Sequence, residues 1–381
     1  MKIKRFGRGI VLVSIAAVVF AACSSSGGST APSAAASVAA PSAAAPSSAA
    51  PSTAASASAS AAASTAASGG GAPIKIGYLP KDIVNQYFAA AKTGIDKGAA
   101  ESGSTVVQTG PNEPKADLQV PFIKDLTTQQ VNAIIISADD KDAVAPDLKA
   151  AMAAGIKVVG FDSSPAVGAY NVFVNQVDFS GVGVNLADWA CELAPNCTGE
   201  IAILSAAATA TNQNAWIDLM KQTLSTDAKY KGLKLVDTVY GDDKPDVSTT
   251  QAQGLLTKYP NLKVIVAPTT VGILAAAQVV SGAKKSDSVK VTGLGFPNDM
   301  KPFVADGTSP VFGLWSVPDL GYLAEQVAAK LVSGEIKGTE GETFSVKGLN
   351  GDKPYTIGKD NTVVLGPAFR FDSTNVNDFN F

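Results

Sequence analysis

Any chemistry in this chain is done without imidazole, because its 381 residues include no histidine. That removes the usual general base, the usual zinc ligand and every serine–histidine or cysteine–histidine arrangement. The glycine-rich spots offer no nucleotide cofactor in exchange. Gly181-Val182-Gly183 has Leu186 where a dinucleotide loop needs its third glycine, and Gly293-Leu294-Gly295 has Asn298 there. No Gly-Lys-Ser/Thr loop and no G-x-S-x-G elbow exist either, so no cofactor is expected. What remains is a set of hydrogen-bonding side chains that each follow a short apolar run: Lys81, Asp139, Asp162, Asn212 with Gln213, and Thr270 after Pro268. Two kinds of chemistry are open to them. Asp139 and Asp162 could form a carboxylate pair of the sort that cleaves glycosidic bonds. The whole set could instead hold a neutral polar ligand without reacting with it. On position alone Asp162 could equally cap a turn, Lys81 could be solvated, and Trp216 and Trp315 could be core.

These residues act together only if the fold gathers them. The pattern predicts strands over 74–79, 105–108, 133–137 and 157–160, alternating with helices over 84–102, 116–129 and 142–154. In the first helix Phe88, Ile95 and Ala99 recur at helical spacing. A second series follows, with strands over 201–204, 233–239, 264–267 and 289–294 and helices over 182–193, 213–226, 250–258 and 272–281. Short apolar strands alternating with helices make a parallel sheet covered on both faces. Two such series predict an α/β protein of two doubly wound, Rossmann-like lobes. Ligands of such sheets bind beyond the carboxyl ends of the strands. That rule selects Pro80-Lys81, Ser137-Ala138-Asp139, Asp162-Ser163, 205–213 and Pro268-Thr269-Thr270, all expected on one interlobe cleft.

The N-terminal region carries different signals. Lys2, Lys4, Arg5 and Arg8 precede an apolar run, 10–22, that is short for a membrane span and reads as a signal-peptide core. It ends in Phe20-Ala21-Ala22-Cys23, which resembles the lipobox of bacterial lipoproteins, so residues 1–23 are expected as a signal peptide with Cys23 as the lipid anchor. Residues 24–72 are almost only Ala, Ser, Pro, Gly and Thr and are expected to be a disordered tether reaching roughly 35–40 Å. The remaining roughly 310 residues exceed one ordinary core. A net charge of −3, without a basic run after the signal, gives no footprint for nucleic acid. Cys191 and Cys197, close together in an exported chain, are expected to form a disulfide; the alternative is a pair of small buried residues.

With the strand ends aligned, the chain from Ile74 onward resembles the type I periplasmic sugar-binding proteins. The stretches that carry the likeness include Tyr78-Leu79-Pro80-Lys81, Val159-Gly160-Phe161-Asp162-Ser163 and Thr209-Ala210-Thr211-Asn212-Gln213-Asn214-Ala215-Trp216. Pro268-Thr269-Thr270-Val271-Gly272 and Leu314-Trp315-Ser316-Val317-Pro318-Asp319 continue it. The resemblance implies a binder rather than an enzyme: the solute-binding protein of an ABC importer, a monomer that takes a monosaccharide to a permease and its ATPase subunit. It further implies a lipoprotein held on the membrane, at the cell surface or in the periplasm. Three crossing segments are implied, near 175–177, 311–314 and 361–365. One lobe would then hold 73–176 and 313–361, the other 177–312 and 362–381.

By the same resemblance Asp162 accepts sugar hydroxyls and Lys81 donates to one while balancing that carboxylate. Asn212 and Gln213 donate and accept from the second lobe, Pro268 gives a carbonyl, and Thr270 gives a hydroxyl or amide. Phe88 and Trp315 cover the apolar face, and Asp139 and Asp319 are further candidate contacts. The nearest branches are the rhamnose-binding and autoinducer-2-binding proteins. The latter have an aspartate where this chain has Asn212 and an alanine where it has Thr270, so rhamnose is the expected ligand and autoinducer-2 the alternative.

Overall fold

The computed structural model describes residues 73–381. The signal peptide, Cys23 and the tether expected over 1–72 lie outside them. The first lobe is built on β1 (Lys75–Leu79), β2 (Thr105–Gln108), β3 (Ala133–Ile136), β4 (Lys157–Phe161) and β5 (Val172–Asn175), with α1 (Gln86–Ser102), α2 (Ala116–Thr128) and α3 (Ala145–Ala153) between them. All strands of its sheet run parallel. The reason is visible along β3, where every residue is buried and successive side chains serve opposite layers. Ala133 and Ile135 pack toward the cluster that holds α1, while Ile134 and Ile136 pack among residues of α2 and α3.

The second lobe comprises α4 (Phe179–Leu193), β6 (Gly199–Ser205), α5 (Thr211–Thr226), β7 (Leu233–Tyr240), α6 (Pro245–Lys258), β8 (Leu262–Ala267), α7 (Thr270–Gly282), β9 (Lys290–Gly293) and α8 (Pro297–Ala305). Its sheet is parallel in the order β7-β6-β8-β9. Helices α4 and α5 pack on each other, as do α6 and α7. Cys191 at the end of α4 is joined to Cys197 by a disulfide.

The chain then passes through β10 (Phe312–Leu314) to α9 (Val317–Ser333), which packs on α1 and against β3, β4 and β5 of the first sheet. The α1–α9 approach is close because both helices present glycine. A Cβ on Gly94 would lie 1.7 Å from the Pro318 carbonyl oxygen, and one on Gly321 would lie 1.9 Å from that of Ala91. Strands β11 (Thr343–Phe344) and β12 (Tyr355–Thr356) pair locally, and β13 (Thr362–Val364) and β14 (Phe369–Phe371) follow.

Two lobe boundaries differ from the sequence expectation. β13 pairs in parallel with β5, so 362–364 form the edge of the first sheet (order β13-β5-β4-β3-β1-β2) rather than part of the second lobe. β10 pairs with β14, and Gly313 bridges to Leu294 beside β9, so 313 and 314 extend the second sheet instead of opening the return to the first lobe. Short crossing segments carry strand pairing of their own, which a hydrophobic pattern of three residues does not reveal.

Helix starts also differ, for local reasons. Asp82 accepts hydrogen bonds from the backbone N–H groups of Val84 (3.0 Å) and Asn85 (2.7 Å), holding 82–85 as a turn. Asn85 then caps α1, its side chain accepting from Tyr87 N at 2.9 Å, so the helix starts at Gln86 rather than 84. Proline sets the start of α6 at 245 instead of 250.

Candidate functional site

The carboxyl ends of both parallel sheets meet around Asp162, the residue that follows β4. It is 4% exposed and has φ +60°, a left-handed backbone that costs a non-glycine residue about 1–2 kcal/mol and concentrates at functional sites. Groups from several elements converge on its carboxylate. Oδ2 accepts from Ser137 Oγ after β3 at 2.7 Å. Oδ1 accepts from Tyr87 Oη on α1 at 3.2 Å and from Asn212 Nδ2 on α5 at 3.2 Å. Asn212 belongs to the other lobe, and its Oδ1 in turn accepts from Lys81 Nζ at 3.3 Å. A chain of polar contacts therefore runs Asp162–Asn212–Lys81, crossing between lobes twice. A ligand hydroxyl entering between these groups has acceptors and donors on both sides of it.

Gln213, in the first turn of α5, is oriented by its own lobe. Its Oε1 accepts from Ser205 Oγ (2.8 Å) and Ala206 N (2.9 Å) at the end of β6. The acceptor is thus occupied and the two amide N–H donors remain for a ligand. Pro268 and Thr269 lie between β8 and α7, Thr270 opens α7, and all three line the same cavity.

Aromatic rings form the apolar wall. Trp315, just after β10, donates its indole N–H to Tyr87 Oη at 2.9 Å, and the two rings meet edge to face with centroids 6.4 Å apart. Tyr87 packs edge on to Phe88, and Trp315 lies 5.7 Å from Trp216 of α5. The lining encloses a small cavity of about 40 Å³. Hydrogen-bonding groups at one end and ring faces at another suit a ligand that is polar on its edge and apolar on its face.

Lys81 is the cation among several acids. Burial raises the Asp162 carboxyl, and Lys81 and the hydroxyl and amide donors oppose that rise. Asp243, in the loop after β7, is pushed up to about 6 by burial, with the Thr269 hydroxyl and Lys81 opposing. Tyr87 is held well above its ordinary value by burial and then by Asp162, so it remains a hydrogen-bond donor at any physiological pH. Among the described residues no group of three or more acidic or cysteine side chains is placed to hold a metal ion.

Of the residues expected at the site, Lys81, Phe88, Asp162, Asn212, Gln213, Pro268, Thr270 and Trp315 line this cavity. Asp139 and Asp319 do not. Asp139 follows β3 but is buried behind the lining, where its backbone N–H donates to Gln119 Oε1 and its Oδ2 has no partner among the described residues. Of the two carboxylates, Asp162 alone lines the cavity. Asp319 sits in the first turn of α9, its backbone N–H donating to Ser316 Oγ at 3.3 Å. Lining residues outside the expected set include Asn85, Tyr87, Trp216 and Asp243. Asp243 follows a predicted strand, so the strand-end rule could have found it. Tyr87 and Trp216 lie inside helices and carry no such signal. The Trp216 ring packs against Phe179 as a core residue, yet its indole N–H has no partner among the described residues.

Known proteins align with this architecture. The model of the periplasmic binding protein domain matches residues 76–336. The chain is 36% identical to an ABC transporter solute-binding protein from Clostridium phytofermentas, solved with bound L-rhamnose, across 80% of this chain and 98% of that one (TM-score 0.77). It is 41% identical to a sugar ABC transporter protein from Actinomyces odontolyticus, across 81% and 98% (TM-score 0.65). LsrB from Clostridium saccharobutylicum, solved in complex with AI-2, shares the fold at 23% identity, across 81% and 100% (TM-score 0.74). Two parallel-sheet lobes facing each other across a polar and aromatic cavity, matched over nearly all of the folded region, make this chain a member of the periplasmic binding protein family, with the type I fold.

Proposed function

We propose that this protein is the solute-binding component of an ABC sugar importer, that its ligand is a monosaccharide, and that the monosaccharide is L-rhamnose. The observation that carries the reading is the Asp162–Asn212–Lys81 chain beside the Tyr87–Trp315 wall, because it joins hydroxyl-binding groups of both lobes to an apolar face. A ligand can favour a closed state only through contacts that the closed state alone offers, and those must come from both lobes. Sugar bound here meets that condition, and the closed form is the one that would dock on the permease. The likeness to a rhamnose-bound relative across nearly its full length supports the choice of sugar. An aromatic wall also suits the methyl group of a 6-deoxy sugar.

The same reading makes the protein a monomer that does no chemistry on its ligand and is tethered to the membrane through a lipid on Cys23. Incorporation of labelled fatty acid that is lost in Cys23→Ala tests the anchor. The central test is calorimetric titration of the full-length chain with L-rhamnose, other monosaccharides and autoinducer-2. Micromolar or tighter binding of rhamnose, abolished by Asp162→Ala and separately by Gln213→Ala, is the expected result. Tight autoinducer-2 binding without rhamnose moves the protein to signal uptake. Retained affinity in either variant refutes the shared cleft.

A further inference from the structure

The sugar cavity has a neighbour. Asn85, Asp243 and Thr270 also line a second, outer groove of about 270 Å³. Both lobes build that groove. The first supplies Val84 from the turn before α1 and Gln86 from its first position; the second supplies Val271, Leu274 and Ala275 from α7 and Phe296 before α8. Val84 is 68% exposed.

The lining also has a clear charge character. Its ionisable members are the acids Asp243 and Asp299, both raised by burial, and among the described residues no lysine or arginine faces it. A phosphate or carboxylate would find no counter-charge there, and burying one unpaired is costly. A free monosaccharide does not need the groove, since its hydroxyls are matched by the inner cavity.

We propose that the outer groove is a subsite for the neutral, apolar aglycone of a glycoside whose sugar ring occupies the inner cavity. This inference rests on the monosaccharide reading and extends it: the protein takes rhamnosides as well as rhamnose. Asn85, Asp243 and Thr270 border both spaces, so a short glycosidic substituent has only that shared rim to cross. Apolar contact with Val84 from one lobe and Leu274 from the other also lets the aglycone favour the closed form.

The test is titration of the full-length chain with L-rhamnose, methyl α-L-rhamnopyranoside and p-nitrophenyl α-L-rhamnopyranoside, in the natural protein and in Leu274→Asp and Val84→Asp. Neither substituted residue lines the inner cavity. The aryl glycoside is expected to bind at least about fivefold tighter than the methyl glycoside, from burial of its ring. Each variant is expected to lose about tenfold in aryl-glycoside affinity and to keep rhamnose affinity within about twofold. Rhamnose binding without aryl-glycoside binding overturns the subsite and leaves the monosaccharide reading standing. Equal losses for all three ligands, or no loss in either variant, also overturn it. Failure of all three to bind the natural protein refutes the monosaccharide reading, and the subsite falls with it.

Discussion

Replacing Asp139 by asparagine separates a buried supporting acid from a ligand contact. Asp139 is 4% exposed, and one carboxylate oxygen has no partner among the described residues. Burial pushes its carboxyl up to about 8, with Lys81 opposing and Asp82, Asp243 and Asp117 adding to the rise. For an acid whose folded pKa is raised, the folded state keeps a proton that the unfolded chain releases at 3.8. Stability therefore falls as pH rises through the window from about 4 to about 8, by about 1.4 kcal/mol per unit. An asparagine side chain at this position does not titrate and escapes that loss. From pH 4 to pH 7 the stability of Asp139→Asn relative to the natural protein should thus rise by about 4 kcal/mol. Urea unfolding at pH 4, 5.5 and 7 measures it through the growing gap between the two midpoints. A gap that stays constant with pH would mean that Asp139 is ionised in the folded protein, and the reasoning from burial would fail. Ligand affinity gives an independent check. Near pH 6.5 the natural side chain is already neutral, so the amide should preserve affinity within about threefold; a loss beyond tenfold would restore Asp139 as a contact.

Gly321→Ala should destabilise the first lobe by about 2–4 kcal/mol, since its methyl would collide with the Ala91 carbonyl where α9 crosses α1; thermal unfolding reads this, and an unchanged transition would show that the helices separate freely. Gln119→Leu keeps the volume of a fully buried side chain but removes its donations to the carbonyls of Pro80 (3.0 Å) and Ser137 (2.7 Å) and its acceptance from Asp139 N (3.1 Å). It should cost about 2–4 kcal/mol in chemical denaturation and weaken sugar binding, because Lys81 follows directly on Pro80. Lys244 of the second lobe meets Glu113 of the first at 3.0 Å, an ion pair between the lobes. Lys244→Ala should weaken ligand binding by less than about threefold at low salt and not at all in molar salt; a salt-independent loss would assign the lysine a role other than screened charge.

What the sequence made legible was whatever the strand-end rule governs. Lys81, Asp162, Asn212, Gln213 and Thr270 each stand just beyond a strand or at the head of the following helix, and an α/β sheet delivers such positions to one edge whatever the side chain. The rule fixes position but not depth, and Asp139 shows the difference. It occupies a strand end as Asp162 does, but the left-handed backbone of Asp162 brings its carboxylate among the donors of both lobes, while Asp139 is held back by Gln119 from α2. Backbone handedness at a single aspartate is not written in hydrophobic periodicity. Tyr87 was hidden for a related reason. Its neighbour Phe88 has the helical spacing of a core residue, and nothing local distinguishes a tyrosine whose hydroxyl will meet Asp162 from one that only packs. The bond to Trp315 spans 228 positions and forms because glycines at 94 and 321 let α1 and α9 come close. Helix packing thus sets the shape of the apolar wall, and with it which sugar fits. A change at Gly94 or Gly321, remote from any ligand atom, should therefore disturb binding as well as stability.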